Sequence, residues 1–178
     1  MVYVFLIDNF EEIEALATVD ILRRAEIPVT TVGIFGDTLC GSHNISVKAD
    51  KVFSECSFSD AEALILPGGM GSLNFLKHDG LCTLLKQKSE EGTLLAAICA
   101  APSVLGDLGL LNGYSATCYP GFEDHLKGAA VSEQRVCTDG KRITARGPGL
   151  SDRFAFALIE TLRPSFDLNG LRESMQYE

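Results

Sequence analysis

Apolar and polar positions follow two patterns along the chain: short continuous apolar runs, and longer segments with apolar residues at helical spacing. The runs VYVFLI at 2–7, ALILPGG at 63–69 and TLLAAI at 93–98 predict buried strands, as does PVTTVGI at 28–34. Helical segments separate these strands. This order predicts an α/β fold of the flavodoxin-like, three-layer sandwich type, with a mostly parallel sheet covered by helices on both faces.

The first helical segment runs from Glu11 to about Glu26 and is amphipathic. Its predicted buried stripe contains Ile13, Leu16, Ala17, Ile21 and Ala25. Glu14 shares a helical row with Thr18 at the margin of that stripe. We therefore expect partial burial of its carboxyl group.

The remaining segments complete the same pattern. Residues 38–50 suggest short extended pieces, a helix ends near Glu91, and PSVLGDLGLL at 102–111 predicts another helix. The segment EQRVCTDGKRITA predicts a hairpin with Asp139-Gly140 in a two-residue turn. LSDRFAFALIETL at 150–162 predicts the last helix. With no linker or internal repeat in the sequence, we expect one domain over residues 1–178.

Composition and charge exclude several classes of partner. Hydrophobic residues make up 46% of the sequence against 22% charged, and the formal net charge is -9. Such a chain has no basic stripe for nucleic acid or an anionic membrane. The N-terminus turns acidic within eight residues, unlike a signal peptide, and no apolar run is long enough for a membrane span. We expect a cytoplasmic protein.

The chain has six cysteines, Cys40, Cys56, Cys82, Cys99, Cys118 and Cys137. Their wide spread in a chain of this length does not favour a disulfide framework. No CxxC pair or Cys/His cluster at metal-ligand spacing occurs in the sequence, so we expect neither a metal nor a cofactor.

Cys99 differs from the other five because it follows the strand TLLAAI directly and precedes a helix that has Pro102 in its first turn. Small neighbours suit a crowded strand-to-helix elbow, where α/β proteins place nucleophiles and ligand sites. A helix N-terminus also favours a thiolate over a thiol. The alternative is that Cys99 is one more small buried residue.

Two further features are typical of a thiol site. The Gly69 N–H, in LPGG after a parallel strand, and the Ala100 N–H are candidate oxyanion donors. Burial raises the pKa of a carboxyl group, so Glu14 is a candidate proton donor to the thiolate. The alternative for LPGG is that the two glycines mark an ordinary turn. The alternative for Glu14 is that it is an ordinary first-turn acid favoured by the helix dipole.

Four segments together resemble one family: FEEIEALATVDILRRAEI, LPGG, AAICAAPSVL and ARGPGLSDRFAFALIETL. They are similar to the ThiJ/PfpI family, in the branch of the Parkinson-associated protein deglycase within the class I glutamine amidotransferase-like superfamily. The resemblance covers nearly the whole chain.

The resemblance implies a homodimer, with Cys99 as the reactive cysteine and Glu14 as the carboxylic acid hydrogen-bonded to it. Gly69 and Ala100 match the backbone donors beside the thiol. Four further residues are implied as possible pocket residues: Gly68, His43, Tyr119 and Pro148. Arg23 and Arg24 fall where related chains use the first helix for dimer contacts.

The chain also departs from the family pattern. Ala100 follows the cysteine where members with peptidase character have a histidine, and Tyr119 stands before a proline where the deglycase branch often has a histidine. Tyrosine cannot act as a base near neutral pH. We expect His125 to lie at the surface and His78 to be a cation at the end of a helix.

Two classes of function remain open. In the first, Cys99 and Glu14 form a cysteine-dependent glyoxalase or deglycase acting on small dicarbonyls or glycated adducts without glutathione. In the second, Cys99 is an oxidisable sensor in a stress-response or chaperone-like protein without turnover. The family's historical names suggest peptidase activity or thiamine-precursor metabolism as a third reading.

Overall fold

A computed structural model describes residues 1–177, which form a central seven-stranded sheet between two layers of helices. The strands are β1 (Val2–Leu6), β2 (Val29–Gly33), β3 (Thr38–Cys40), β4 (Ser46–Lys48), β5 (Lys51–Val52), β6 (Ala63–Leu66), β7 (Leu94–Ile98), β8 (Ser115–Ala116), β9 (Ala130–Val131), β10 (Val136–Asp139) and β11 (Arg142–Ala145). The helices are α1 (Glu12–Arg24), α2 (Asp79–Glu90), α3 (Pro102–Asp107), α4 (Ser151–Leu162) and α5 (Leu168–Ser174).

The order of strands in the main sheet is β10-β11-β7-β6-β1-β2-β5. All neighbouring pairs are parallel except β10 with β11. β6 and β7 are neighbours, so the loops that follow Leu66 and Ile98 leave the same edge of the sheet. The predicted α/β sandwich is confirmed, and this edge places LPGG beside Cys99.

The two faces of the sheet bury separate cores, because successive strand residues point to opposite sides. On β7, Leu94, Ala96 and Ile98 pack with α1, α4 and α5, whereas Leu95 and Ala97 pack with α2 and α3. Every residue of β7 is buried. This explains why its sequence is a continuous apolar run.

The buried face of α1 differs from the predicted stripe. Ile21 and Ala25 are buried as expected, but Ile13 is 57% exposed, and Leu16 and Ala17 are only partly buried. The side facing the sheet and α4 instead contains Glu14, Ala15, Thr18, Val19, Ile21 and Leu22. The prediction was wrong because it took apolar character as the sign of burial, whereas the helix buries polar residues and leaves Ile13 outside.

Two other elements differ in length or position from the sequence prediction, and a third element has no counterpart in it. The hairpin loop is Gly140-Lys141, one residue later than predicted, because Asp139 pairs with Arg142 in the ladder. α3 ends at Asp107, well before residue 111, and Gly109 follows in the left-handed region. α5 was not predicted, although its N-cap Asp167, which accepts the Gly170 N–H at 2.9 Å, is a readable signal.

All six cysteines are free. Among residues 1–177, no helix is long and apolar enough to cross a membrane.

Candidate functional site: a cysteine at the strand-to-helix elbow

Cys99 lies between β7 and α3 with φ of 65°, a left-handed conformation that few non-glycine residues adopt. Neighbouring segments hold it there. Its N–H donates to the Ala145 carbonyl at 2.8 Å, and its carbonyl accepts the Tyr119 N–H at 2.8 Å. The backbone of this residue is thus fixed from both sides, which aims the side chain away from the strand.

Glu14 reaches the thiol from the first turn of α1. Its carboxyl group lies beside the Cys99 thiol and interacts with it electrostatically, and its Oε2 accepts the Gly68 N–H at 2.8 Å, while its buried Oε1 has no hydrogen-bond partner among the described residues. The residue is 0% exposed. Glu11 positions this turn, since its carboxylate caps the helix by accepting the Glu14 N–H at 2.7 Å.

Two backbone donors complete the surroundings of the sulfur. The N–H groups of Gly69 and Ala100 lie near the sulfur and favour its ionised form. Gly69 adopts a φ of 99°, and a Cβ placed there would meet the backbone of residues 9–11 at 2.4–2.6 Å. Gly68 allows equally close packing, because a Cβ there would lie 2.6 Å from Cys99 Cβ and 2.7 Å from Glu14 Oε2.

Burial controls the ionisation of the carboxyl and the thiol. It raises the pKa of Glu14 to about 7. Burial and the charge of Glu14 together raise the pKa of Cys99 to about 12. The predicted lowering of the thiol pKa by the helix end is therefore wrong in direction, because these effects outweigh the Gly69 and Ala100 N–H groups.

The two groups titrate as a pair. When Glu14 carries a proton, its charge no longer opposes ionisation of the thiol, and the two N–H groups face the sulfur. Ionisation of the Cys99 thiol is thus less unfavourable while Glu14 is protonated. The pair can pass one proton between oxygen and sulfur with no change in total charge.

Tyr119 and Pro148 line a shallow cavity of about 360 Å³ beside the elbow, together with Arg135 and Arg146. Tyr119 is 47% exposed, and its ring packs edge-on against Phe122 at 6.4 Å between centroids. Its backbone, not its hydroxyl, makes the contact with Cys99 described above.

The histidines lie elsewhere. His43, in the β3–β4 loop, donates its N–H to Glu12 Oε1 at 2.6 Å and places Nδ1 2.7 Å from Glu12 Oε2. His125 pairs with Asp107 at 2.9 Å. His78 lies at a helix end, where it caps the start of α2 because its Nδ1 accepts the Leu81 N–H at 3.0 Å. Within residues 1–177, no hydrogen bond joins a histidine to Cys99 or Glu14.

One group of side chains could contact a cation. Ligand atoms of Glu11, Glu12 and His43 lie within 4.8 Å of one another. Their carboxylate oxygens already accept N–H groups of Glu14 and His43, so hydrogen bonding within the chain accounts for the cluster. The sequence predicts no role for Glu11, because glutamate is not among the residues preferred as helix N-caps.

A cysteine in a strained elbow at the edge of a parallel sheet, beside a buried carboxyl group, defines the class of α/β proteins with a nucleophile elbow. The chain belongs to the DJ-1/PfpI family, whose sequence profile matches residues 1–161.

Two curated relatives and one solved structure illustrate this membership. The chain is 36% identical over 163 residues to protein dj-1beta of Drosophila melanogaster, covering 89% of this chain and 87% of the relative. It is 30% identical over 151 residues to a deglycase of Pyrococcus horikoshii, covering 83% and 91%. Oxidized Toxoplasma gondii DJ-1 superposes with a TM-score of 0.94 at 34% identity, covering 99% and 97% of the two chains.

Proposed function

We propose that this protein is a glutathione-independent, cysteine-dependent enzyme that converts small dicarbonyls, or the adducts they form on thiols and amines, into hydroxy acids. The observation that carries the proposal is the buried Glu14 carboxyl group beside the Cys99 thiol, with the Gly69 and Ala100 N–H groups near the same sulfur. The similarity to a protein named deglycase supports it.

The proposed reaction begins when the Cys99 thiolate attacks the aldehyde carbon of methylglyoxal. A carbon–sulfur bond forms, and the aldehyde oxygen becomes an oxyanion that the Gly69 and Ala100 N–H groups can stabilise before it takes the proton from Glu14. The Glu14 carboxylate then removes the hydrogen from the attacked carbon as a proton and returns it to the neighbouring carbon, while the proton on the first oxygen passes to the ketone oxygen. This step oxidises the first carbon to a thioester and reduces the ketone to an alcohol.

Water completes the cycle. It adds to the thioester carbon and breaks the carbon–sulfur bond, which releases lactate and restores the thiol. The sum is methylglyoxal plus water giving lactic acid, with no external oxidant or reductant. On a glycated adduct, the same attack would displace the amine or thiol that the dicarbonyl had modified.

The test is lactate formation from methylglyoxal without glutathione. We expect turnover by the wild type and by Cys82→Ala, which removes a partly buried thiol on α2. Cys99→Ala and Glu14→Gln should lose at least about a hundredfold in kcat/KM, as is typical for removal of a nucleophile or a general acid–base group. Equal activity in Cys99→Ala, or no activity in the wild type, contradicts the proposal.

A redox role for the same cysteine is a second candidate. The observation that favours it is that three hydrogen bonds, from Glu14, Gly69 and Ala100, would stabilise an oxidised, anionic sulfur. Peroxide would take the thiolate to sulfenate and then sulfinate, releasing one water at each step. Mass measurement after mild peroxide should then show two added oxygens on Cys99, with the other five thiols unchanged.

A further inference from the structure

The cavity lined by Tyr119, Arg135, Arg146 and Pro148, here called the Arg146 cavity, brings two cationic side chains together in a chain whose net charge is -9. Arg135 is exposed and Arg146 is half-buried. The N–H of Arg146 donates to the Arg135 carbonyl at 3.0 Å, so the two residues stand side by side where β10 and β11 meet the loop.

Both arginines lack an acidic partner among the ion pairs of residues 1–177. In addition, Arg146 Nε is buried and has no hydrogen-bond partner in the described part of the chain. A buried donor without an acceptor is unfavourable and is rare in folded proteins. The cavity therefore presents two positively charged side chains that no acidic group of residues 1–177 neutralises in an ion pair.

The Arg146 cavity adjoins the reactive elbow. Tyr119, on one wall, donates its N–H to the Cys99 carbonyl, and Ala145, directly before Arg146, accepts the Cys99 N–H, both at 2.8 Å. The cavity is thus connected to the backbone of Cys99 through two hydrogen bonds, one from Tyr119 in its wall and one to Ala145, the neighbour of Arg146.

We infer that the Arg146 cavity binds the anionic group of the substrate, so that the preferred substrate is a 2-oxoaldehyde bearing a carboxylate or a phosphate. This inference rests on the proposed function and adds a substrate class to it. Guanidinium groups form charge-assisted, often paired hydrogen bonds with both anions. Arg135 and Arg146 are specificity residues and take no part in the chemical step.

The first experiment compares kcat/KM for three aldehydes: neutral 2-oxopentanal, 4,5-dioxopentanoate with a carboxylate, and 3-phosphooxy-2-oxopropanal with a phosphate. The wild type should prefer at least one anionic aldehyde to the neutral one, and the stronger preference identifies the anion. Arg135→Gln and Arg146→Gln should each reduce kcat/KM for that anion about tenfold, the typical effect of losing one charge-assisted hydrogen bond, and leave 2-oxopentanal within about twofold.

Arg153→Gln is the matched control, because it makes the same change at an exposed position on α4 that lines a different cavity. It should leave all three aldehydes unchanged. If the wild type shows no preference for either anion, or if the Arg135 and Arg146 variants reduce the neutral and anionic substrates equally, the inference is overturned while the proposed function stands.

A second experiment does not depend on turnover. Iodoacetate and iodoacetamide alkylate thiols by the same displacement of iodide, but only iodoacetate carries a negative charge. Mass spectrometry measures both alkylation rates at Cys99. The rate with iodoacetate divided by the rate with iodoacetamide should fall about tenfold in Arg135→Gln and Arg146→Gln relative to the wild type and Arg153→Gln. If no aldehyde is turned over, the proposed function fails, and this ratio decides alone: a fall supports anion binding beside Cys99, and an unchanged ratio overturns it.

Discussion

At the scale of single residues, the site depends on a proton shared between Glu14 and Cys99. Glu14 is fully buried, and its pKa rises to about 7 because burial disfavours the carboxylate. The folded state therefore holds a proton that the unfolded chain, with an ordinary Glu pKa, has already lost at weakly acidic pH. This difference links the chemistry of the site to the stability of the fold.

Glu14→Gln should change how stability depends on pH. Because the folded pKa lies above the unfolded one, the wild type gains its advantage from Glu14 at low pH and loses it as pH rises from about 4.5 to about 7. Over that window, its free energy of unfolding should fall by up to about 3 kcal/mol relative to Glu14→Gln, which does not titrate. Urea unfolding of both proteins between about pH 4.5 and pH 8 measures this. Parallel pH profiles would contradict the burial of an ionisable carboxyl group.

Gly68→Ala should damage the site at its closest contact. The new methyl group would lie 2.6 Å from Cys99 Cβ and 2.8 Å from the Ile98 carbonyl oxygen, so the elbow or α1 must shift. We expect a loss of about 1–3 kcal/mol in stability, as for other overpacked sites, together with slower alkylation of Cys99. Gly36→Ala is the matched control, since a Cβ at Gly36 meets nothing within 4 Å and its φ is not positive. Equal stability of the two variants would show that the elbow has room to relax.

At the scale of elements, the site lies where the residue after β7 meets loops next to three other strands and the first turn of α1. Arg142, at the start of β11, helps to fix that arrangement although it lies at the far end of the sheet. It is buried and donates to the carbonyls of Leu110 and Lys141 and to the Ser89 hydroxyl, and its guanidinium lies 4.7 Å from the centre of the Tyr114 ring. One planar side chain thus connects β11 to the end of α2 and to the segment after α3.

Arg142→Lys should destabilise the protein even though it preserves the charge. The three donors of lysine share one nitrogen and cannot reach the acceptors that Nε and the two terminal nitrogens of Arg142 contact, and a buried acceptor left without its donor costs about 1–3 kcal/mol. Chemical denaturation measures the loss. Arg153→Lys, the same exchange at an exposed position of α4, should stay within about 0.5 kcal/mol of the wild type. A similar small effect at Arg142 would mean that the buried contacts re-form around lysine.

At the scale of the whole molecule, the exposed apolar residues on α1 and the β3–β4 hairpin are the main feature that a single chain leaves unexplained. Ile13 is 57% exposed and Ile45 is 52% exposed. Arg23 and Arg24, which the resemblance assigns to dimer contacts, form ion pairs at the surface of the single chain with Asp50 at 2.7 Å and Asp20 at 2.8 Å. We therefore expect the homodimer implied by the resemblance to bury Ile13 and Ile45.

The double variant Ile13→Glu/Ile45→Glu should be monomeric at concentrations where the wild type is a dimer, because carboxylates resist removal from water. Sedimentation equilibrium distinguishes the two states. Val131→Glu, at a residue that is 55% exposed on the distant strand β9, should leave the dimer intact. A monomeric wild type, or a double variant that still dimerises, would rule out this interface.

The sequence by itself determined the mostly parallel sheet, the alternation of strands and helices along the chain, and the position of Cys99 between a strand and a helix. Continuous apolar strands can only be buried on both faces, and a thiol flanked by alanines and Pro102 fits few places besides an elbow. It named Glu14 as a candidate only from the margin of a predicted stripe, of which Ile21 and Ala25 are buried as expected. The strand runs and the elbow are local properties, which spacing along the chain reports directly.

Only the tertiary structure decided the ionisation of the site and the neighbours that surround it. The direction of the Cys99 pKa depends on the depth of burial and the distance to Glu14, which are set by packing between α1 and the sheet edge. Likewise, Ile13 is exposed and Glu14 buried because of how α1 is rotated against its neighbours, which apolar spacing does not report. Arg135 and Arg146 meet because β10 pairs with β11, and they lie near Cys99 because β11 pairs with β7.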